Sequence, residues 1–170
     1  MFFYERAGVF TPTFHPSRKA VMPVKHSAMR NRTLLYTDGA CSVHTDQMGG
    51  WAFKVVSSDA TVFRNHGSVP NSTNSRMELL AVINGLLAIK QPSNVLVRSD
   101  SLYVVNAFNQ KWIKDWERKQ WHRKGKLIPN YDLWQRLLHA MECHLSVAFE
   151  WTDETDPYLK AVDELAKGAT

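Results

Sequence analysis

"TLLYTDG" (33–39) is a short run of β-forming residues that stops at the turn signal Asp38-Gly39, so it reads as a strand. Downstream, "GGWAFKVVSS" (49–58) and "ATVFRNHGSV" (60–69) alternate apolar and polar residues, which predicts two more strands turning back on each other at Ser58-Asp59. The pattern then changes period. "MELLAVINGLLAIK" (77–90) is a helix that Gln91-Pro92 stops, and "NVLVRSD" (94–100) returns to a strand.

Ser101 opens a helix through about Asn109, Trp112 to about His122 is a further helical stretch, and residues 123–129 form a polar loop. Asn130 starts a helix through about Cys143 with Leu133, Leu137, Leu138 and Met141 as its apolar stripe. "LSVAFEW" (145–151) is a strand. Asp156-Pro157 starts a last helix, with Pro at its first position and Gly168 just past its end. Summarised as βββαβααβα, antiparallel strands precede βα units, and the expected fold is α/β, a mixed sheet with helices packed on it.

The chain of 170 residues is long enough for one domain with a real core, and 44% apolar with 22% charged residues excludes disorder. No apolar run approaches the roughly 20 residues of a membrane-spanning helix, so no membrane partner is expected. The start of the chain lacks the layout of a secretory signal. Two cysteines, Cys41 and Cys143, make no disulfide framework, which suits a cytoplasmic protein.

Charge is unevenly spread. Residues 1–33 carry six Lys/Arg against Glu5, and Lys111 to Lys126 carry seven against Asp115 and Glu117. Residues 1–32, with three prolines and no regular period, are expected to be a basic extension to a domain over 33–170, its composition suiting nonspecific nucleic-acid binding, an organellar targeting peptide or an inert tail. Two basic blocks beside an acidic remainder suggest a polyanion partner.

The acids fall at unusual places. Asp38 and Asp100 end strands, Glu78 opens a helix, and Asp163 joins Leu159, Val162 and Ala166 on the inward stripe of the last helix. Each has an ordinary explanation: Asp38 as a turn residue, Ser75-x-x-Glu78 as a capping box, Asp100 as support for the next helix, Asp163 paired with a lysine. Together, with no obvious inward basic partner, they suit hard divalent cations, which take oxygen ligands. Such a cluster holding two ions matches in-line phosphoryl displacement.

"YTDGAC" (36–41), "TNSRMELLA" (73–81), "SDSLYVV" (99–105), the Trp-rich basic block, "YDLWQRL" (131–137) and "VDELA" (162–166) resemble type 1 ribonuclease H in order and near its spacing. The resemblance covers about residues 33–168. It implies the ribonuclease H-like fold, a five-stranded mixed sheet with its first three strands antiparallel and helices on both faces. It implies endonucleolytic cleavage of the RNA strand of RNA/DNA hybrids by a monomer, leaving 5′-phosphate and 3′-hydroxyl ends. Asp38, Glu78, Asp100 and Asp163 would be the catalytic and metal-binding residues, holding two Mg²⁺ ions for which Mn²⁺ could substitute. Asp38 would bridge both ions.

By the same resemblance, "KWIKDWERKQWHRKGK" (111–126) is a protrusion gripping the DNA strand. Trp112, Trp116, Lys119, Arg123 and Lys124 would contact nucleic acid there, with Cys41, Thr73 and Asn74 nearer the cut. The tryptophans could instead be core. Three departures stand out. The loop before the last helix lacks the family's histidine, and Glu154 is the candidate auxiliary group. Leu102 replaces a polar residue, and Asp115 stands where an amide is common. The alternative is a non-catalytic hybrid-binding protein of the same fold, which would have no need of clustered acids.

Overall fold

The computed structural model describes residues 32–42, 48–57 and 60–170. Its strands are β1 (Thr33–Cys41), β2 (Gly49–Val56), β3 (Val62–Val69), β4 (Asn94–Ser99), the two-residue β5 (His122–Arg123) and β6 (Lys126–Leu127), and β7 (Ser146–Trp151). The helices are α1 (Asn74–Ala88), α2 (Leu102–Asn109), α3 (Trp112–Arg118), α4 (Tyr131–Glu142) and α5 (Pro157–Lys167). Except for Arg32, the basic extension expected at 1–32 lies outside the described residues.

Five strands form one sheet in the order β3-β2-β1-β4-β7. The β1–β2 and β2–β3 pairs are antiparallel, and β1–β4 and β4–β7 are parallel. Period-two alternation gives the sheet two apolar faces. On one, Leu35, Phe53, Val97 and Phe149 meet Leu79, Val82, Ile83 and Leu86 of α1 and Leu133, Trp134 and Leu137 of α4. On the other, Tyr36 and Ala52 meet Leu159, Val162 and Ala166 of α5. Helices therefore cover both faces.

Three local details differ from the sequence reading. The shorthand βββαβααβα drops one of the three helical stretches read between residues 101 and 143, and all three are present between β4 and β7. Residues 122–127, expected as helix end and loop, form the β5–β6 ribbon. The reason is backbone sign: Gln120 and Trp121 take φ of 50° and 61°, which ends a right-handed helix, and Lys124 (49°) with Gly125 (74°) makes the tight hairpin turn.

The third detail concerns Glu78. Helix α1 begins three residues earlier than expected, because extended Thr73 is its N-cap, its Oγ1 accepting from the Arg76 N–H at 3.4 Å. Glu78 thus sits in the second turn, too far along to close a box with Ser75. Its carboxylate is free for another task.

Candidate active site

The site forms where the two central parallel strands end. Tyr36 pairs with Arg98 across β1 and β4; two residues on, Asp100 lies just past the end of β4, whereas Asp38 is still in β1 and paired with Ala52, because the strand expected to end at Asp38 is held in the ladder as far as Cys41. Adjacent strands stand about 4.8 Å apart, which sets the spacing of the two carboxyls. Glu78 arrives from above the sheet. Gly39 permits this, since a Cβ there would stand 2.2 Å from the Glu78 backbone nitrogen and 2.4 Å from the Met77 carbonyl carbon. One carboxylate oxygen from each of Asp38, Glu78 and Asp100 lies within 4.8 Å of the other two.

Asp163, on α5, lines the same cleft with Gly39, Ala40, Cys41, Asn74, Lys167 and Thr170. The expectation that the acids lack an inward basic partner needs correcting here. Lys167 Nζ donates to Asp163 Oδ2 at 2.8 Å. The spacing is i, i+4, so the lysine lies one turn on along the same face.

Electrostatically the cleft favours a cation. Burial, then repulsion from Asp100 and Asp163, pushes the Asp38 carboxyl up to about 7. Burial, then repulsion from Asp38 and Asp100, holds Glu78 well above the usual carboxylate range. Burial and the charges of Asp163 and Glu154 raise Asp100. The backbone N–H of Gly39 favours the charged forms of Asp38 and Glu78 and offsets only part of this. Glu78 Oε2 is buried without a hydrogen-bond partner. A divalent cation would satisfy that orphaned oxygen and relieve the repulsion together, so the donor set fits a hard metal ion.

The remaining predicted residues separate into groups. Half-buried Cys41, its Sγ 3.3 Å from the Ser72 carbonyl oxygen, and Asn74 line the cleft. Thr73, exposed, is the α1 cap. Glu154 is exposed, near enough for its charge to raise Asp100 and Lys167. Lys119, Arg123 and Lys124 are exposed on the turn after α3 and on the ribbon.

Trp112 and Trp116 pack partly into the core. The Trp116 ring lies 5.3 Å from Trp134, 5.9 Å from Trp121 and 6.2 Å from Trp112, so these indoles anchor the protrusion to α4. Asp115 is ion-paired with Arg118 at 3.0 Å, which offsets its charge on a basic surface.

Sequence reasoning missed three contributors. Lys167 was visible as i+4 from Asp163. Gly39 was visible only as a turn residue. Trp151, whose indole N–H donates to the Asp100 carbonyl at 3.2 Å, left no signal, because the contact joins residues 51 apart.

Acids carried by the two central parallel strands and by two flanking helices thus line one cleft, a donor set suited to metal-assisted phosphoryl transfer. The RNase H family model matches residues 30–170. The chain is 40% identical over 143 residues to the ribonuclease H of Chlorobium luteolum, covering 83% of this chain and 97% of that protein. It is 42% identical over 138 residues to that of Caldicellulosiruptor saccharolyticus, covering 79% and 92%. Among solved structures, LC9-RNase H1, described as a type 1 RNase H with the type 2 active-site motif, superposes with a TM-score of 0.69. Its identity is 26%, over 82% of this chain and 74% of that one. A foamy viral protease-reverse transcriptase in complex with RNA/DNA hybrid shares the fold at 14% identity and a TM-score of 0.72, over 95% of this chain and 22% of that one. The chain belongs to the ribonuclease H family.

Proposed function

We infer that the protein is a ribonuclease H that hydrolyses the RNA strand of RNA/DNA hybrids, leaving 5′-phosphate and 3′-hydroxyl ends. One observation carries this: three carboxylates from distant segments converge within 4.8 Å, one with an unpartnered buried oxygen. A binding module gains nothing from that arrangement, which costs stability unless a cation fills it.

Asp38, Glu78, Asp100 and Asp163 would hold two Mg²⁺ ions, or Mn²⁺ in their place. Bound there, such ions would neutralise charge and lower the pKa of a water enough to make hydroxide available as the nucleophile near neutral pH. The protein's own groups do the rest. Asp163, paired with Lys167, would be freed for ligation when its lysine turns to solvent or to a phosphate. Lys119, Arg123 and Lys124 would take DNA-strand phosphates, which set register and carry no sequence information. Cys41, Thr73 and Asn74 lie at or beside the cleft, where the 2′-hydroxyls that mark RNA would pass. Glu154, beside Asp100, would accept or return a proton at the cut. A single domain over 33–170, working as a cytoplasmic monomer, is the simplest organisation. No helix among the described residues is long and apolar enough to cross a membrane.

End-labelled RNA/DNA hybrid, duplex RNA and duplex DNA, each incubated with Mg²⁺, Mn²⁺ or EDTA, test the reading. Cleavage should need metal and be confined to the RNA of the hybrid. Binding without cleavage, or cleavage of duplex DNA, would overturn it. Asp38→Asn should bind hybrid and not cut it. An unchanged rate in Glu154→Gln would remove Glu154 from the mechanism.

A further inference from the structure

Arg98, on β4, reaches three other elements with one guanidinium. Its Nε donates to Glu150 Oε2 on β7 at 2.7 Å, across the register pair Arg98↔Glu150. Its Nη1 donates to the Tyr36 hydroxyl on β1 at 3.1 Å and lies 3.6 Å from Asp156 Oδ2. Asp156 is in turn the N-cap of α5, its Oδ1 accepting from the N–H groups of Tyr158 at 2.8 Å and Leu159 at 3.4 Å.

Each of these contacts lies a short, rigid step from a site carboxylate. Tyr36 is two residues before Asp38 on the same strand, and Arg98 is two before Asp100. Asp156 is seven residues before Asp163, about two helical turns. Helix α5 is otherwise seated by a small apolar cluster of Leu159, Val162 and Ala166 on Tyr36 and Ala52. Small aliphatic contacts resist separation better than they resist sliding. A planar fork with fixed bond directions resists sliding.

We propose that Arg98 is a positioning residue for the carboxylate site, tying β1, β4, β7 and the N-terminus of α5 together so that Asp38, Asp100 and Asp163 keep their mutual placement. The proposal rests on the reading of those acids as one metal-binding set. Arg98 itself touches neither cation nor substrate. It acts through Tyr36 and Asp156, and partners outside a metal's ligand set commonly change affinity tenfold or more when removed. Tyr158 reinforces the clamp, its ring 5.3 Å from Tyr36 with Lys54 Nζ 4.1 Å from its centre.

The test is calorimetric titration with Mg²⁺ and Mn²⁺, alongside thermal melting, of the wild-type protein, Arg98→Met, Arg98→Lys, Asp156→Asn and Leu137→Ala. Asparagine caps a helix as well as aspartate does, so Asp156→Asn keeps α5 capped while removing the charge facing Arg98. Leu137, fully buried on α4 on the opposite face of the sheet, serves as a destabilised control without the clamp. Arg98→Met and Asp156→Asn should each raise the metal dissociation constant by roughly three- to tenfold, with Arg98→Lys between them and wild type. Leu137→Ala should lower the melting temperature and leave the constant within about twofold. Wild-type affinity in both Arg98→Met and Asp156→Asn overturns the proposal, as does an equal loss in Leu137→Ala. A wild-type protein that takes up no divalent cation overturns the active-site reading and this proposal with it. Uptake by wild type with unchanged variants overturns the proposal alone.

Discussion

Gly39 and Glu78 touch backbone to backbone: the Cβ that Gly39 lacks would stand 2.2 Å from the Glu78 nitrogen. That approach brings a helix-borne carboxylate to a strand-borne one. Gly39→Ala must push β1 and α1 apart, at a cost of about 1–3 kcal/mol for overpacking. The displacement falls directly on the Asp38–Glu78 pair, and misplacement of about 1 Å at a reacting centre can cost on the order of 100-fold in rate. Chemical denaturation and hybrid cleavage should both register the change. A variant with wild-type activity would show that the helix can yield without disturbing the site.

Without metal, the fold should weaken as pH rises. The folded-state pKa of Asp38, about 7, lies above its ordinary 3.8, so the folded state favours the protonated acid. Stability is then full below about pH 4 and declines as pH rises through about 7, by of order 2–4 kcal/mol for this group. Glu78 and Asp100 shift in the same direction and add to the slope. Melting in EDTA at successive pH values should show the decline. Asp38→Asn should flatten it and melt higher than wild type above neutrality while cutting no substrate.

Divalent cation should restore what ionisation removes. A ligand at about 100 times its dissociation constant adds roughly 2.7 kcal/mol of stability. Because the ligating acids must be deprotonated, the gain from Mg²⁺ should be larger at pH 8 than at pH 5. Melting curves with and without the ion at the two pH values measure the difference. A gain independent of pH would place the bound ion away from Asp38 and Glu78.

The exposed cations of the protrusion should govern affinity and not chemistry. Replacing Lys119, Arg123 and Lys124 by Ala should raise KM with kcat kept. For every phosphate that the variant no longer neutralises, the slope of log affinity against log salt should become shallower by up to about 0.9. Binding measured over a salt series separates this from a folding defect, which would leave the slope unchanged.

Gly125, at the tip of the β5–β6 ribbon with φ of 74°, has open space around its missing Cβ. Gly125→Ala therefore strains only the backbone, by about 1 kcal/mol. Metal affinity should stay at the wild-type value, because the ribbon shares no element with the carboxylates. A changed metal constant would couple the protrusion to the site.

Much of the protein was legible in its linear order. The period of two in β1 to β3, the Gln91-Pro92 stop and the Asp156-Pro157 start each act within a few residues of themselves, so they survive folding with little change. Helix α3 was overextended because nothing in its composition shows that Gln120 and Trp121 turn left-handed. That choice belongs to the packing of Trp116 on Trp134 and Trp121. On its own stretch Glu78 spelled a cap, the other acids made it a ligand, and the true helix start at Thr73 took the cap role away.

Residue types and their local periods alone marked out the five strands of the main sheet, the helices between them and the four acids those elements carry. Tertiary structure alone decided that Asp38 and Asp100 meet, through parallel β1–β4 register; that Glu78 joins them, through the absent Cβ of Gly39; and that α5 brings Asp163 into the same cleft. Periodicity is a property of neighbours in the chain. Convergence depends on which strand pairs with which and how closely a helix can lie on them, and those are settled by burial across separations of about 40 to 125 residues.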